Sequence, residues 1–169
     1  MFERLRRVPP KLFCVLLVTP SLLGFDVWSK QLATQIPAGE QVHIIDGWMS
    51  FVHAENPAAA FSMPIPMAML IGFGVVALAV MAHTYVRLPR SSVLVSTALG
   101  LLTAGAVGNL IDRVQDGTVT DFVRVYTAHP ELAPWLVERF GTATWPIFNV
   151  ADMAILGGVS LFLVGSLFD

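Results

Sequence analysis

The sequence predicts an α-helical integral membrane protein, with four transmembrane helices, a small extracytoplasmic β-sheet and a short interfacial helix. Three observations carry that reading. Of 169 residues, 55% are hydrophobic and 13% charged, about half the charged fraction of an ordinary soluble domain. Four apolar runs, at about 12–28, 65–86, 92–111 and 147–168, approach the roughly 20 residues that cross a bilayer as helix. The polar residues gather between these runs, in outer regions at about 29–64 and 112–146. The length suits a single membrane-embedded domain over 1–169.

The chain opens with Arg4, Arg6, Arg7 and Lys11, a basic start like that of a secretory signal. The run that follows ends in Gly24-Phe25-Asp26-Val27-Trp28-Ser29-Lys30 rather than in a small-residue cleavage site. It is therefore read as an uncleaved first span, with Pro20 a kink point. Next, Gln41-Val42-His43-Ile44-Ile45 and Trp48-Met49-Ser50-Phe51-Val52-His53 flank Asp46-Gly47, two β-rich pieces around a hairpin dipeptide. The second and third runs are joined by a short connection holding Arg87 and Arg90. Another extended piece is predicted over 118–126. Over 130–140 a Pro-initiated amphipathic helix presents Trp135, Leu136 and Phe140, either to the membrane interface or to the sheet. The fourth run follows. Gly72, Gly74, Gly100, Ala104, Gly105, Gly108, Gly157 and Gly158 would let the spans pack closely.

Basic residues set the orientation. The two longer connections hold acids alongside their bases (Glu40, Asp46, Glu55, Asp112, Asp116, Asp121, Glu131, Glu138), whereas the start and the short connection are basic. Short basic connections stay in the cytoplasm, so both termini are expected inside and the two long connections outside.

Several functional classes drop out. With a net charge of −2 and no aromatic-interleaved basic patch, there is no nucleic-acid signal. Cys14, the single cysteine, lies in the first apolar run and is read as a buried, inert thiol. His43, His53, His83 and His129 form no HExxH-type array, so no metal and no cofactor is expected. A P-loop and a GxSxG elbow are both missing.

Chemistry concentrates in 108–152. Asn149 and Asp152 stand at i and i+3, one turn into the fourth run, and share a helix face. Asn109, Asp112 and Arg113 sit comparably at the end of the third run, and Asp121 begins the extended piece beyond it. Ionisable groups at membrane depth are costly and mark functional sites by default. Two carboxylates in a low-dielectric site share a proton. The charged one can then activate water while the protonated one polarises a carbonyl. The same residues also fit a structural ion-pair or proton-path cluster. Asp26 and Lys30, an i, i+4 acid–base pair, read first as a structural pair at the end of a span. Ser29-Lys30 as a Ser/Lys dyad is disfavoured, because adjacent helical residues point in different directions.

Five blocks taken together carry a resemblance. They are Asp26-Val27-Trp28-Ser29-Lys30, Asn56-Pro57-Ala58-Ala59-Ala60-Phe61, Gly108-Asn109-Leu110-Ile111-Asp112-Arg113, Asp121, and Phe148-Asn149-Val150-Ala151-Asp152. In order and content they resemble the lipoprotein signal peptidase family, the bacterial type II signal peptidases. The resemblance implies an aspartyl endopeptidase of the bacterial inner membrane. Such an enzyme cuts diacylglyceryl-modified prolipoproteins just before the lipidated cysteine. It implies Asp121 and Asp152 as the catalytic pair and Asn56, Asn109, Arg113 and Asn149 as substrate-binding residues. Asp26, Lys30 and Asp112 would be supporting residues. The implied partners are lipid-modified prolipoproteins and membrane lipids, and a monomer is expected.

The chain departs from the family pattern in three places. Where the family reads Asn-x-Gly-Ala-Ala-Phe, Ala58 replaces Gly and removes a φ > 0 option, while Pro57 removes a donor. Ser62-Met63-Pro64-Ile65-Pro66 leaves little room for an outer helix before the second span. The Asp121-to-Asp152 connection is long, and 130–140 is read as a lid replacing that helix. Two other readings stay open: a catalytically impaired family member, and a small transporter or binding protein using buried carboxylates. The transporter reading predicts internal repeats, and none is visible.

Overall fold

A computed structural model describes residues 9–57 and 65–167. In chain order the elements are α1 (Pro10–Ala33), β1 (Val42–Ile45), β2 (Met49–Asn56), α2 (Met67–Arg87), α3 (Val93–Gln115), β3 (Val119–Val125), α4 (Leu132–Phe140) and α5 (Val150–Gly165). The basic residues Arg4 to Arg7, the stretch 58–64 and the end of the fourth apolar run at Phe168 lie outside the described residues.

α3 is the central helix, with extended contacts to α5, α1 and α2. Its buried side is built from small and aliphatic residues, among them Val95, Ala98, Leu99 and Ala104. A Cβ on Gly105 would run into the carbonyl oxygen of Ala151, and one on Gly158 would meet Leu102 Cγ at 2.7 Å. Close passage of α3 against α5 therefore depends on these glycines. Gly100 lets α1 approach, and Thr19 donates to its carbonyl at 3.2 Å. Gly72 and Gly157, expected to serve the same purpose, face open space.

Large apolar side chains line the outside of the bundle: Phe13, Leu16 and Leu17 on α1, Phe73, Val76 and Val80 on α2, and Leu156 and Leu163 on α5. Among described residues α2 buries none at all. An apolar exterior this extensive is that of a body solvated by lipid. α1, α2 and α3 are long and apolar enough to cross a membrane. α5 has only 16 residues, about 24 Å of helix. It is shorter than expected because Phe148 is extended, bridged antiparallel to Val123, so helix begins only at Val150.

The first helix is longer than expected at its C-terminal end, running to Ala33. Asp26 and Lys30 look like the end of a span in sequence, but both are buried against the rest of the protein. Pro20 lies inside α1. Cys14 is half-buried rather than buried, because this part of α1 lies along the apolar outer surface. At the far end, Lys11 Nζ donates to the carbonyls of Tyr85 and Leu88 at 3.1 and 2.9 Å, tying α1 to the end of α2.

The sheet is antiparallel in the order β1-β2-β3. The Asp46-Gly47 turn forms as predicted, with Gly47 at φ 74, the left-handed value that glycine tolerates. Phe51 and Phe122 meet edge to face, 5.7 Å between ring centroids. They belong to the core formed by Ala33, Val123 and Val150, with Phe148 packed against it. That core fixes the sheet over the ends of α1 and α5. α4 forms close to its predicted bounds and has no extended contact with any other described element, so of the two surfaces weighed for it, the described sheet is not the one it packs on. Trp135, Val137 and Phe140 on it are exposed.

Candidate active site

Three helix ends and one strand converge beneath the sheet. Lys30, 5% exposed, sits between Asp26 and Asp112, with Nζ 2.8 Å from an oxygen of each. It also donates to Asn109 Oδ1 at 3.2 Å. The ammonium has donors only, so this contact orients the Asn109 amide: its oxygen faces Lys30 and its nitrogen faces Asp152, 2.9 Å from Oδ1. Asp26 uses its other oxygen to accept from Ala151 N at 2.8 Å. An anion at the first turn of α5 satisfies an otherwise orphaned backbone donor. Asp112 accepts from Thr120 N at 3.3 Å, which ties α3 to β3. Gly108 makes room for this cluster, since a Cβ there would collide with Asp26 Oδ2.

Asn149 is the N-cap of α5 and Asp152 its third helical residue. They are therefore a cap and its partner, rather than two residues on one helical face. Asn149 Oδ1 accepts from Asp152 N at 2.9 Å, and Asp152 Oδ2 accepts from Asn149 N at 3.2 Å, a reciprocal capping box. The Asn149 Nδ2 group donates to Asp121 Oδ1 at 2.8 Å, to Asn109 Oδ1 at 3.1 Å and to Thr120 O at 3.3 Å. Asn56, the last residue of β2, donates to Asp121 Oδ2 at 2.9 Å.

All nine residues singled out in the sequence thus meet in one hydrogen-bonded network. Asn56, Asn109, Arg113, Asp121 and Asp152 line a cavity of about 680 Å³. Its other walls are apolar, from Val119, Trp145, Ile147, Met153 and Leu156. Asn149 is not among the lining residues and is 0% exposed; it holds both carboxylates from behind. Arg113 donates from Nη1 to Asn109 O at 2.9 Å, while its buried Nε has no partner among the described residues.

Burial is the main influence on Asp121, lifting its pKa to about 6; the Asn56 donor opposes that, the charge of Asp152 adds to it, and the Asn149 donor opposes it. A site that keeps one carboxyl protonatable beside a second carboxylate, in a largely apolar cavity, is equipped for general acid–base chemistry on water.

Sequence reasoning missed Thr120, which links Asn149 to Asp112 through its own backbone, and the backbone donor of Ala151. Both contacts use main-chain atoms, which carry no residue-type signal. Trp145, in the predicted outer connection, and Ile147, at the start of the predicted fourth span, both wall the cavity, because 144–148 runs back along β3 through bridges at Thr144 and Phe148.

The family model for signal peptidase (SPase) II matches residues 18–168. The lipoprotein signal peptidase of Geobacter sulfurreducens is 40% identical over 129 residues, spanning 74% of this chain and 72% of that protein. The lipoprotein signal peptidase of Xanthomonas oryzae pv. oryzae is 32% identical over 170 residues, 97% of this chain and 95% of that protein. A bacterial membrane enzyme solved by the in meso method at 2.3 Å superposes with a TM-score of 0.76 at 26% identity, over 90% of this chain and 87% of that one. A second such structure, at 1.9 Å, gives 0.74 at 26% identity, over 92% and 93%.

Proposed function

The chain belongs to the signal peptidase II family, and on that premise we propose that Asp121 and Asp152 are the catalytic pair with which it removes signal peptides from prolipoproteins. The observation that carries the assignment is the contact of Asn149 with both: its amide donates to Asp121 Oδ1 while it caps, and is capped by, Asp152. One asparagine thus fixes the two carboxyls relative to each other at the floor of the cavity.

The proton of the pair resides on Asp121, whose burial favours the neutral form. Asp152 then takes a proton from a water as it attacks the scissile carbonyl, and Asp121 hydrogen-bonds the oxygen that becomes negative. The Nε of Arg113 is a buried donor without a partner among the described residues, a state that costs about 1–3 kcal/mol. A substrate carbonyl would satisfy it. Asn56 and Asn109 face the cavity and complete the binding wall. Lys30, Asp26 and Asp112 support the site through Asn109 and the first turn of α5.

The substrate is a diacylglyceryl-modified prolipoprotein, cut before its lipidated cysteine, and the enzyme works as a single-domain monomer surrounded by membrane lipids. α5 is the fourth span, supported by its extended contact with α3. Lys11 and Arg87 lie together at the inner end, so both termini are cytoplasmic and the site faces outward across the bacterial inner membrane. The test is cleavage of a lipidated prolipoprotein in detergent. Asp121→Asn and Asp152→Asn should each abolish release of the signal peptide without loss of folded protein. Full activity in either variant would remove that residue from the pair.

A further inference from the structure

We propose that the two apolar arms of the substrate lie in two separate grooves that meet at Asp152. On this reading the apolar helix of the signal peptide occupies a cleft between α2 and α3, and the lipidated cysteine side occupies the cavity beneath Trp145. The proposal rests on the peptidase reading above and assigns each arm its place.

The cleft is a second cavity, of about 360 Å³. From α2 it receives Leu70, Phe73, Gly74, Ala77 and Met81, at spacings of three, four, seven and eleven that lie on one helical stripe. From α3 it receives Leu102, Ala106 and Leu110, again one stripe. The α2 stripe is about 16 Å long, enough for some three turns of a docked helix. Gly74, Ala77 and Ala106 are small, which is what close helix approach in lipid requires. α2 makes extended contact with α3 only among the described elements and buries no residue, so one side of the stripe is left for another helix.

The cleft has a polarity. At one end are Met81 and Leu102; at the other are Asn109, Arg113 and Asp152. A signal peptide enters with its N-terminus toward the cytoplasm, so its C-terminal end arrives at Arg113. Helix C-terminal carbonyls are unpaired and carry partial negative charge, and the guanidinium with its unmatched Nε stands where they end. The larger cavity shares only Asn109, Arg113, Asp152 and Ile155 with the cleft. Beyond Asp152 its wall is apolar again, with Trp145, Ile147, Met153, Leu156 and Val159. Two apolar grooves joined across a polar floor match a substrate with two apolar arms joined by a short peptide.

The test uses the full-length Asp121→Asn enzyme to hold uncut substrate, carrying a photoreactive diazirine either in the middle of the apolar helix or in an acyl chain. Mass spectrometry should find the peptide label on α2 and α3 between 70 and 110, and the acyl label on 145–147 and α5. In the active enzyme, Ala77→Trp should lower kcat/KM for the full substrate, relative to a lipopeptide lacking the apolar helix, by about tenfold or more. Val159→Trp should leave that ratio unchanged. Both labels in one groove, the reverse assignment, or no labelling in either because bilayer lipid fills them, would each overturn the proposal. Labelling is read without turnover, so a wild-type enzyme that fails to cleave would sink the peptidase reading while the label positions still decide the grooves.

Discussion

Asn149 and Asp152 cap one another: each donates a backbone N–H to the other's side-chain oxygen, at 2.9 and 3.2 Å. The same Asn149 side chain donates to Asp121 at 2.8 Å. Helix capping and carboxylate placement therefore run through one residue, and substitution can separate them. Asn149→Ala loses both and should cost about 1 kcal/mol of stability through the lost cap as well as most of the activity. Asn149→Ser keeps a good cap but not the amide donor. Thermal midpoint and cleavage rate should separate, with serine restoring the first and not the second. Recovery of both by serine would reduce Asn149 to a structural cap.

The pH dependence of cleavage follows from Asp121. Its pKa is raised by burial to about 6, and Asn56 opposes the rise by donating to the ionised form. If Asp121 supplies the protonated member, kcat/KM should fall as pH rises through about 6. Asn56→Ala removes a donor to the anion, so the proton is held more tightly and the falling limb should move to higher pH. A pH–rate profile of the two proteins decides it. A limb that stays in place would mean another group controls it.

Stability should report the same carboxyl. Below about pH 4 folded and unfolded chains both carry the proton on Asp121; between about 4 and 6 only the folded chain does; above 6 neither does. The group therefore lowers stability as pH rises from about 4 to 6, and the loss is then constant. A rise from 3.8 to about 6 corresponds to about 3 kcal/mol. Thermal midpoints in detergent across that window should decline more steeply in the wild type than in Asp121→Asn, the difference being the contribution of Asp121. Equal slopes would mean that Asp121 is not the group responsible.

The helices, the hairpin and much of the polar network were legible because each had a local signature: apolar length, Asp46-Gly47, and carboxylates and amides at the ends of apolar runs. Asn56 had none and entered, like the pairing of Asp121 with Asp152, through the family resemblance. The boundaries were not legible where tertiary contacts decide them. Asp26 and Lys30 mark the end of a span by hydropathy, yet their charges are neutralised by each other and by Asp112, so α1 continues to Ala33. Ile147 and Phe148 are as apolar as any helical residue, but Phe148 exchanges backbone bonds with Val123, which delays α5. The register irregularity between Phe51 and Ala54, which sets where Asn56 meets Asp121, had no residue-type signal. Nor did the open space at Gly72, because small residues mark possible contacts and not actual ones.

That contrast yields the last prediction. Gly105 lies where α3 passes the first turn of α5, and a methyl there would collide with the Ala151 carbonyl and press on Ile155 Cγ1 at 2.7 Å. Backbone cannot turn aside as a side chain can, so α5 itself must shift. Forced overpacking of this kind costs about 1–3 kcal/mol. The shift falls one residue from Asp152 and disturbs the bond from Ala151 N to Asp26, so activity should fall together with stability in Gly105→Ala. At Gly72 a Cβ meets nothing within 4 Å, and alanine is the better helix former by about 1 kcal/mol. Gly72→Ala should therefore match or exceed the wild-type thermal midpoint. The pair separates close packing from helix propensity: if both substitutions stabilise, α3 and α5 do not approach as closely as the glycines require.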